Sequence, residues 1–210
     1  LVRKALRFRP YWKNGGGVTV TGGEPLLQAE FVEKFFAKLH AHGVHTALDT
    51  SGVGNLSKAE KVLAHTDLVL CDLKFLTKAD YLKNCRADFD QIERFLQLTA
   101  MKNVPLWIRH VVVPGLTDGM DHLRRVKAKA ESYPNFEKLE FLPFHKLCID
   151  QRALLAGDGR RAGGEHGRGI VVAVAVAQDV HGVLEMHGLD LRADLAQHDR
   201  EQVELLEAQG

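Results

Sequence analysis

Short apolar runs alternate with stretches of helical periodicity along the first two-thirds of the chain. Between residues 26 and 42, apolar residues recur every three or four positions, which predicts a helix that Gly43 ends. The same reasoning predicts helices at 56–65, opened by Ser57 as its cap, at 81–102 and at 118–131. Between them lie five apolar runs typical of buried strands: one ending in Gly22-Gly23-Glu24, then 44–50, 67–74, 105–113 and 138–145. This alternation predicts an α/β fold with a parallel sheet covered by helices.

The composition changes sharply near residue 147. Every lysine and every aromatic residue lies at or before Lys146, and the chain beyond is rich in Arg, Ala, Gly, Val and His. We therefore divide the chain into a folded part, 1–147, and an atypical tail, 148–210. Two interpretations of the tail stay open: a flexible linker followed by a small helix at 191–208, or sequence from a shifted reading frame.

The overall charge and the cysteines narrow the class of protein. The formal net charge is +1 and no basic stripe with interleaved aromatic residues is present, so we expect no nucleic-acid partner. The longest apolar run, 170–177, is too short to cross a bilayer, so we expect no membrane association. Cys71, Cys85 and Cys148 lie far apart without C-x-x-C spacing, which favours a reducing, cytoplasmic compartment.

Unusual polar residues follow the predicted strands where each one ends. Because the carboxyl ends of parallel strands meet at one edge of a sheet, these residues should lie close together. Strand alternation also places Leu70, Asp72 and Lys74 on one face, so the acid and the amine would share a cavity wall. The candidate site residues, in chain order, are Gly22, Gly23, Glu24, Asp49, Thr50, Asp72, Lys74, Arg109 (midway along its strand) and His145.

Each of these residues also has an ordinary structural interpretation. Asp49 is compatible with an Asx-type turn, and Asp72 with a solvated ion pair. Arg109 lies in an apolar strand, where a buried guanidinium needs a carboxylate partner; binding a substrate and pairing with a catalytic acid are both open. His145 in isolation is typical of a packing histidine. The clustered histidines at 40, 42 and 45 are a weak candidate for a metal site.

Four segments together resemble a known family. They are GGGVTVTGGEPLLQAEFVEKFFAKLHAHGVHTALDTSG at 15–52, DLVLCDLK at 67–74, WIRHVVVPG at 107–115 and LEFLPFH at 139–145. In this order and spacing they closely resemble the pyruvate formate-lyase activating family, which belongs to the radical S-adenosylmethionine enzymes that activate glycyl radical enzymes. The resemblance covers roughly residues 1–147.

The resemblance implies a partial (β/α)6 barrel that binds S-adenosylmethionine and a [4Fe-4S] cluster, and we expect this sequence to lack the first strand and the cluster loop of that barrel. By motif, Gly22, Gly23 and Glu24 would receive the amino group of S-adenosylmethionine. Asp72, Lys74 and His145 would surround its carboxylate and the reacting centre, and Arg109 would face the glycine-bearing peptide. A monovalent cation would be held by four ligands: Asp49, Thr50, Asp72 and the backbone carbonyl of Leu70. Lys74, Arg109 and His145 are thus the expected catalytic residues.

The implied partners are pyruvate formate-lyase or a related glycyl radical enzyme, and reduced flavodoxin or ferredoxin as electron donor. The family's C-x-x-x-C-x-x-C cluster motif does not occur in this sequence, and we expect it upstream of Leu1. Without it, we expect the chain as given to be catalytically inactive. Two alternatives are a catalytically dead remnant that still binds its partner or S-adenosylmethionine, and a barrel lyase that uses Lys74 as a Schiff base.

Overall fold

Five strands lie side by side in chain order and run parallel to one another. The computed structural model describes residues 1–12 and 16–144, together with the backbone of 170–175. The sheet order is β5-β4-β3-β2-β1-β6, and the predicted α/β fold with a parallel sheet is confirmed. The strands are β1 Gly17–Gly22, β2 His45–Thr50, β3 Leu68–Asp72, β4 Leu106–Val112, β5 Phe136–Pro143 and β6 Ile170–Ala175; the helices are α1 Val2–Leu6, α2 Ala29–His40, α3 Leu56–Leu63, α4 Lys78–Cys85, α5 Phe89–Met101 and α6 Met120–Glu131.

The sixth strand departs from the parallel pattern. β6 pairs antiparallel with β1, so that Gly17 lies opposite Ala175 and Gly22 opposite Ile170. It belongs to the segment that sequence analysis assigned to an atypical tail, where no strand was predicted. The small helix predicted at 191–208 lies outside the described residues, and the division at residue 147 stays a prediction.

The sheet has one apolar face and one polar face. Alternate residues of the central strands, such as Val20, Val69 and Ile108, are fully buried. Successive side chains of a strand point to opposite faces, so the residues between them lie on the other face, and there Asp49, Asp72 and Arg109 are only partly buried. The helices contribute the rest of the buried cluster, chiefly Phe35, Phe36, Leu39, Val62, Ile92, Phe95 and Leu96.

Two glycines shape β1. A Cβ on Gly17 would lie 2.1 Å from the carbonyl oxygen of His45, so only glycine permits this approach of β1 to β2. Gly22, at the other end, has a φ of 121°, a conformation that other residues rarely adopt. The strand thus begins in close contact with its neighbour and ends in a turn that needs glycine.

The helix predictions needed two corrections. The predicted helix at 81–102 is two helices, α4 and α5, because Arg86 adopts the left-handed conformation with φ of 53° and ends α4. The predicted cap Ser57 was wrong. Asn55 caps α3 instead: its side-chain oxygen accepts a hydrogen bond from the Lys58 amide at 3.0 Å.

The helices are short, and the longest described one, α5, has 13 residues. None of the helices within 1–12 and 16–144 has the length and apolar character needed to cross a membrane.

Candidate functional site

The carboxyl ends of β2, β3 and β4 bring three charged side chains together. Asp72 and Arg109 lie side by side in the β3–β4 ladder. Asp49 is paired with Leu70, two residues before Asp72 and therefore on the same face of the sheet. The prediction that polar residues at the strand ends converge is confirmed for these three, although Arg109 and Asp49 are 60 residues apart in the chain.

The guanidinium of Arg109 bridges the two carboxylates. Its Nε and Nη2 donate to Oδ1 of Asp72 at 3.2 and 2.9 Å, and its Nη1 donates to Oδ2 of Asp49 at 3.0 Å. Nη2 also donates to Oδ1 of Asp49, which makes that contact bidentate. Thr21 of β1 adds a fifth bond, from its hydroxyl to Oδ2 of Asp49 at 3.0 Å. Of the two roles left open for Arg109, the structure shows pairing with acids.

Burial and charge act in opposite directions on these groups. The side chains of Arg109, Asp49 and Asp72 are only 20%, 19% and 26% exposed. Desolvation raises the pKa of Asp49, and it outweighs the lowering by Arg109. Desolvation alone would lower the pKa of Arg109, but Asp49 and Asp72 hold it above its ordinary value. Arg109 therefore stays charged beside the two acids.

Glu24 ties the loop after β1 to the loop after β2. Its Oε1 accepts from the amide of Leu26 at 3.1 Å and from the hydroxyl of Thr50 at 2.5 Å. Its Oε2 accepts from the amide and the hydroxyl of Ser51 at 2.8 and 2.6 Å. A carboxylate has about four lone-pair positions, so these four donors occupy its capacity. Glu24 is thus a rigid, half-buried anion beside the exposed glycines Gly22 and Gly23.

Lys74 lies just beyond the end of β3. Its Nζ is 3.9 Å from Oδ2 of Asp72, and its side chain is 43% exposed. Its backbone amide donates to the hydroxyl of the buried Tyr81 at 2.9 Å, which fixes the main chain at this point. The acid and the amine do lie next to each other, as strand alternation predicted. The amine faces solvent enough to meet an anionic ligand.

Three residues on the same face were missed by sequence reasoning. Nζ of Lys138 lies 4.4 Å above the ring of Trp107 and 2.6 Å from Oε1 of Glu140. In the β4–β5 ladder, Trp107 pairs with Lys138 and Arg109 with Glu140, so the polar face continues onto β5. The sequence does contain a signal for Lys138 and Glu140, because in this part of β5 the polar residues 138 and 140 alternate with the apolar residues 139 and 141.

The remaining predicted site residues have different positions. The hydroxyl of Thr50 is engaged by Glu24 and also accepts from the amide of Gly52 at 2.9 Å. Leu70 lies inside the ladder between β2 and β4. His145 lies outside the described residues, so its predicted role stays a prediction. The predicted roles of Gly22 and Gly23 toward a ligand also stay predictions.

The histidine cluster belongs to the opposite end of the sheet. His40 bonds to Oδ2 of Asp67 at 2.9 Å, and the amide of Thr46 donates to the same oxygen at 2.8 Å. Across the described residues, no group of three or more His, Cys, Asp or Glu side chains is arranged to hold a metal ion. The hydrogen bonds of His40 therefore join the end of α2 to the start of β2 and β3.

The described cysteines do not fit an iron–sulfur cluster, which is held by several thiolates. Cys71 is fully buried on the apolar face, where desolvation keeps the pKa of its thiol well above its ordinary value. Cys85 lies on α4, also with a raised pKa because of burial. Cys71 and Asp72 are adjacent in β3, so their side chains point to opposite faces of the sheet.

The fold and the polar strand ends can now be compared with known proteins. The family model of the radical SAM superfamily matches residues 1–126, more than half of the chain. The chain belongs to the radical SAM superfamily. This family uses S-adenosylmethionine together with a [4Fe-4S] cluster. The resemblance inferred from the four sequence segments is confirmed at this level.

Curated relatives and solved structures sharpen the placement. The pyruvate formate-lyase-activating enzymes of Staphylococcus aureus strains USA300 and NCTC 8325 / PS 47 are each 43% identical over 156 residues. These alignments cover 71% of this chain and 62% of each relative, so the chain spans about three-fifths of their length.

A crystal structure of a domain of pyruvate-formate lyase-activating enzyme from Bacteroides vulgatus ATCC 8482 is 26% identical, with a TM-score of 0.57. It covers 67% of this chain and 92% of the domain. A structure of native anSMEcpe with bound AdoMet and a peptide is 21% identical, with a TM-score of 0.52 over 68% of this chain and 42% of that one. The second likeness shows the shared fold alone.

Proposed function

We propose that this chain is the S-adenosylmethionine-binding part of an enzyme that reductively cleaves S-adenosylmethionine and installs a glycyl radical on pyruvate formate-lyase. One observation carries the proposal: a radical SAM chain, 43% identical to pyruvate formate-lyase-activating enzymes, gathers Glu24, Asp49, Asp72, Lys74 and Arg109 at the carboxyl ends of its strands. In parallel α/β folds, ligands bind at this edge.

The charges of the site suit the amino-acid end of S-adenosylmethionine. That end carries an ammonium and a carboxylate, which bind most strongly to opposite charges. In this proposal, the loop Gly22-Gly23-Glu24 receives the ammonium: the glycines let the ligand approach the main chain, and Glu24 adds a fixed negative charge. Lys74 receives the carboxylate, with Asp72 beside it at 3.9 Å. His145 belongs to the same proposed set.

The described residues do not provide a set of thiolate ligands for the [4Fe-4S] cluster. Only Cys71 and Cys85 are thiols within the described part of the chain, and they lie on different elements. The residues at the strand ends would therefore hold and orient S-adenosylmethionine. When bound, S-adenosylmethionine supplies the adenosyl group of the radical chemistry. Pyruvate formate-lyase as target, with reduced flavodoxin or ferredoxin as electron donor, is part of the proposal.

Isothermal titration of the purified chain with S-adenosylmethionine tests this proposal. We expect saturable binding that Lys74→Met weakens by about tenfold or more, because a hydrogen bond to a charged group is worth about 1.5–3 kcal/mol. Lys78→Met is the matched control, since Lys78 is an exposed lysine whose Nζ pairs with Asp90 at 2.7 Å, outside the site.

Two results for the unaltered chain and Lys74→Met would contradict the proposal. One is the absence of saturable binding by the unaltered chain. The other is equal affinity in Lys74→Met and the unaltered chain, which would show that the amine does not meet the ligand. A loss of affinity in Lys78→Met as large as in Lys74→Met would also count against the assignment.

A further inference from the structure

The acids Asp49 and Asp72 already share a cation that belongs to the chain itself. The resemblance predicted that these acids, with Thr50 and the carbonyl of Leu70, hold a monovalent cation. In the structure, the guanidinium of Arg109 contacts both acids through four hydrogen bonds. A planar guanidinium presents two edges of paired donors, and Arg109 uses one edge for each acid.

Most of the side-chain oxygens predicted as cation ligands are already engaged by other donors. Both carboxylate oxygens of Asp49 accept from Arg109, and Oδ2 also accepts from Thr21. Oδ1 of Asp72 accepts twice from Arg109. The hydroxyl of Thr50 donates to Glu24 and accepts from the amide of Gly52. An alkali cation would have to displace these bonds and approach a guanidinium of like charge, so the residues as arranged do not fit it.

We infer that Arg109 is the resident counter-cation of Asp49 and Asp72, so that this acid pair is held in place without an added monovalent cation. The inference concerns the same strand ends as the proposed function, but it holds whether or not S-adenosylmethionine binds. Arg109 acts here as a positioning residue, since its contacts are with other side chains of the chain.

The arrangement also orients Lys74. Arg109 uses Oδ1 of Asp72 and leaves Oδ2 as the oxygen that lies 3.9 Å from Nζ of Lys74. The guanidinium thus fixes which oxygen of Asp72 faces the exposed amine. Replacing Arg109 by a spherical ion would remove this distinction, because an ion imposes no donor geometry on the carboxylate.

Thermal unfolding at constant ionic strength tests the inference. The unaltered chain is compared in potassium chloride, sodium chloride and tetramethylammonium chloride, because the last cation is too large to sit between two carboxylates. We expect the same unfolding midpoint in all three salts. We expect Arg109→Ala to lower the unfolding midpoint. Potassium or sodium should restore part of this loss, and tetramethylammonium should not. Arg109→Lys should stay independent of the salt.

Arg124→Ala is the matched control, because Arg124 is an exposed arginine whose Nη1 pairs with Asp121 at 2.7 Å on α6. It should show no dependence on the cation. A saturable stabilisation of the unaltered chain by potassium or sodium that Asp49→Asn removes would overturn the inference, and this arm needs no Arg109 variant to fold. A folded Arg109→Ala without cation dependence would overturn it as well. These unfolding measurements contain no S-adenosylmethionine, so a failure of the chain to bind that ligand would not alter their outcome.

Discussion

The two ends of β2 and β3 each hold a half-buried aspartate, but the two acids differ in what holds them. Asp67, at the amino end of β3, accepts from the amide of Thr46 and from His40. Asp49, at the carboxyl end of β2, is held by Arg109 and Thr21. Burial acts to raise the pKa of both acids. For Asp67 the hydrogen bonds outweigh burial, so its pKa is lower than usual; for Asp49 burial prevails, so its pKa is higher than usual.

The two ends of the sheet thus differ in the kind of group that satisfies each aspartate. At the amino end, a backbone amide satisfies the carboxylate and fixes the chain. At the carboxyl end, the described residues place three acids, Asp49, Asp72 and Glu24, with two basic side chains, Arg109 and Lys74, so acids outnumber bases. A buried group whose pKa is perturbed in this way is typical of functional sites.

The largest expected effect is at the carboxyl end. Glu24→Gln replaces one acceptor oxygen by an amide NH2 group, a donor that would face donors of Ser51 or Thr50. We expect it to lower the free energy of unfolding by about 2 kcal/mol, because buried donors are left without an acceptor. Urea unfolding at neutral pH measures it. Glu30→Gln is the control, since that acid is exposed and pairs with Lys58 at the surface, so its replacement should change the free energy of unfolding far less. Equal losses would show that the Glu24 contacts do not tie the loops together.

A smaller effect is expected at the amino end. Asp67→Asn keeps one carbonyl oxygen for the Thr46 amide but loses the charge that strengthens the bond with His40. We expect a loss of about 1 kcal/mol in the free energy of unfolding, measured by urea unfolding at neutral pH. A loss larger than that of Glu24→Gln would reverse the ranking of the two ends.

The smallest effect is a pH dependence of opposite sign for the two aspartates. Asp49 has a raised pKa, so it binds its proton more tightly when folded; as pH rises from about 3.9 through the folded value, its contribution to stability falls. Asp67 has a lowered pKa, so its stabilising contribution is present above about 3.9 and is lost as pH falls through the folded value.

Urea midpoints of Asp49→Asn and Asp67→Asn, followed from about pH 3 to about pH 6 and compared with the unaltered chain, check these signs. Asp49→Asn should flatten the fall in stability at rising pH, and Asp67→Asn the loss at falling pH. Changes of the same sign in both variants would contradict the contrast between the two ends.

The strands and the edge where polar residues meet were predictable from the sequence. Apolar runs of strand length ended in Asp49, Asp72 and the glycine turn, and parallel strands must bring such ends together. The break at Arg86 was not predictable, because no glycine or proline marks it.

The pairing of Arg109 with Asp49 also could not be predicted from the sequence. It depends on the register of β2, β3 and β4, which the pattern of a single strand does not contain. The role of Ser51 is similar: its amide and hydroxyl meet Glu24 only because two loops 27 residues apart approach each other.

The antiparallel strand at the edge of β1 has a consequence for how the chain folds during its synthesis. β1 occupies residues 17–22, whereas its edge partner occupies 170–175. A ribosome that adds about 5–20 residues per second makes the intervening stretch in roughly 8–30 seconds. During this time β2 can pair with β1, but β6 has not yet been made. Contacts of such long separation form late and slow folding. β1 can therefore pair with β2 before it can pair with its antiparallel neighbour, so the contact between residues 17–22 and 170–175 is among the later ones to form.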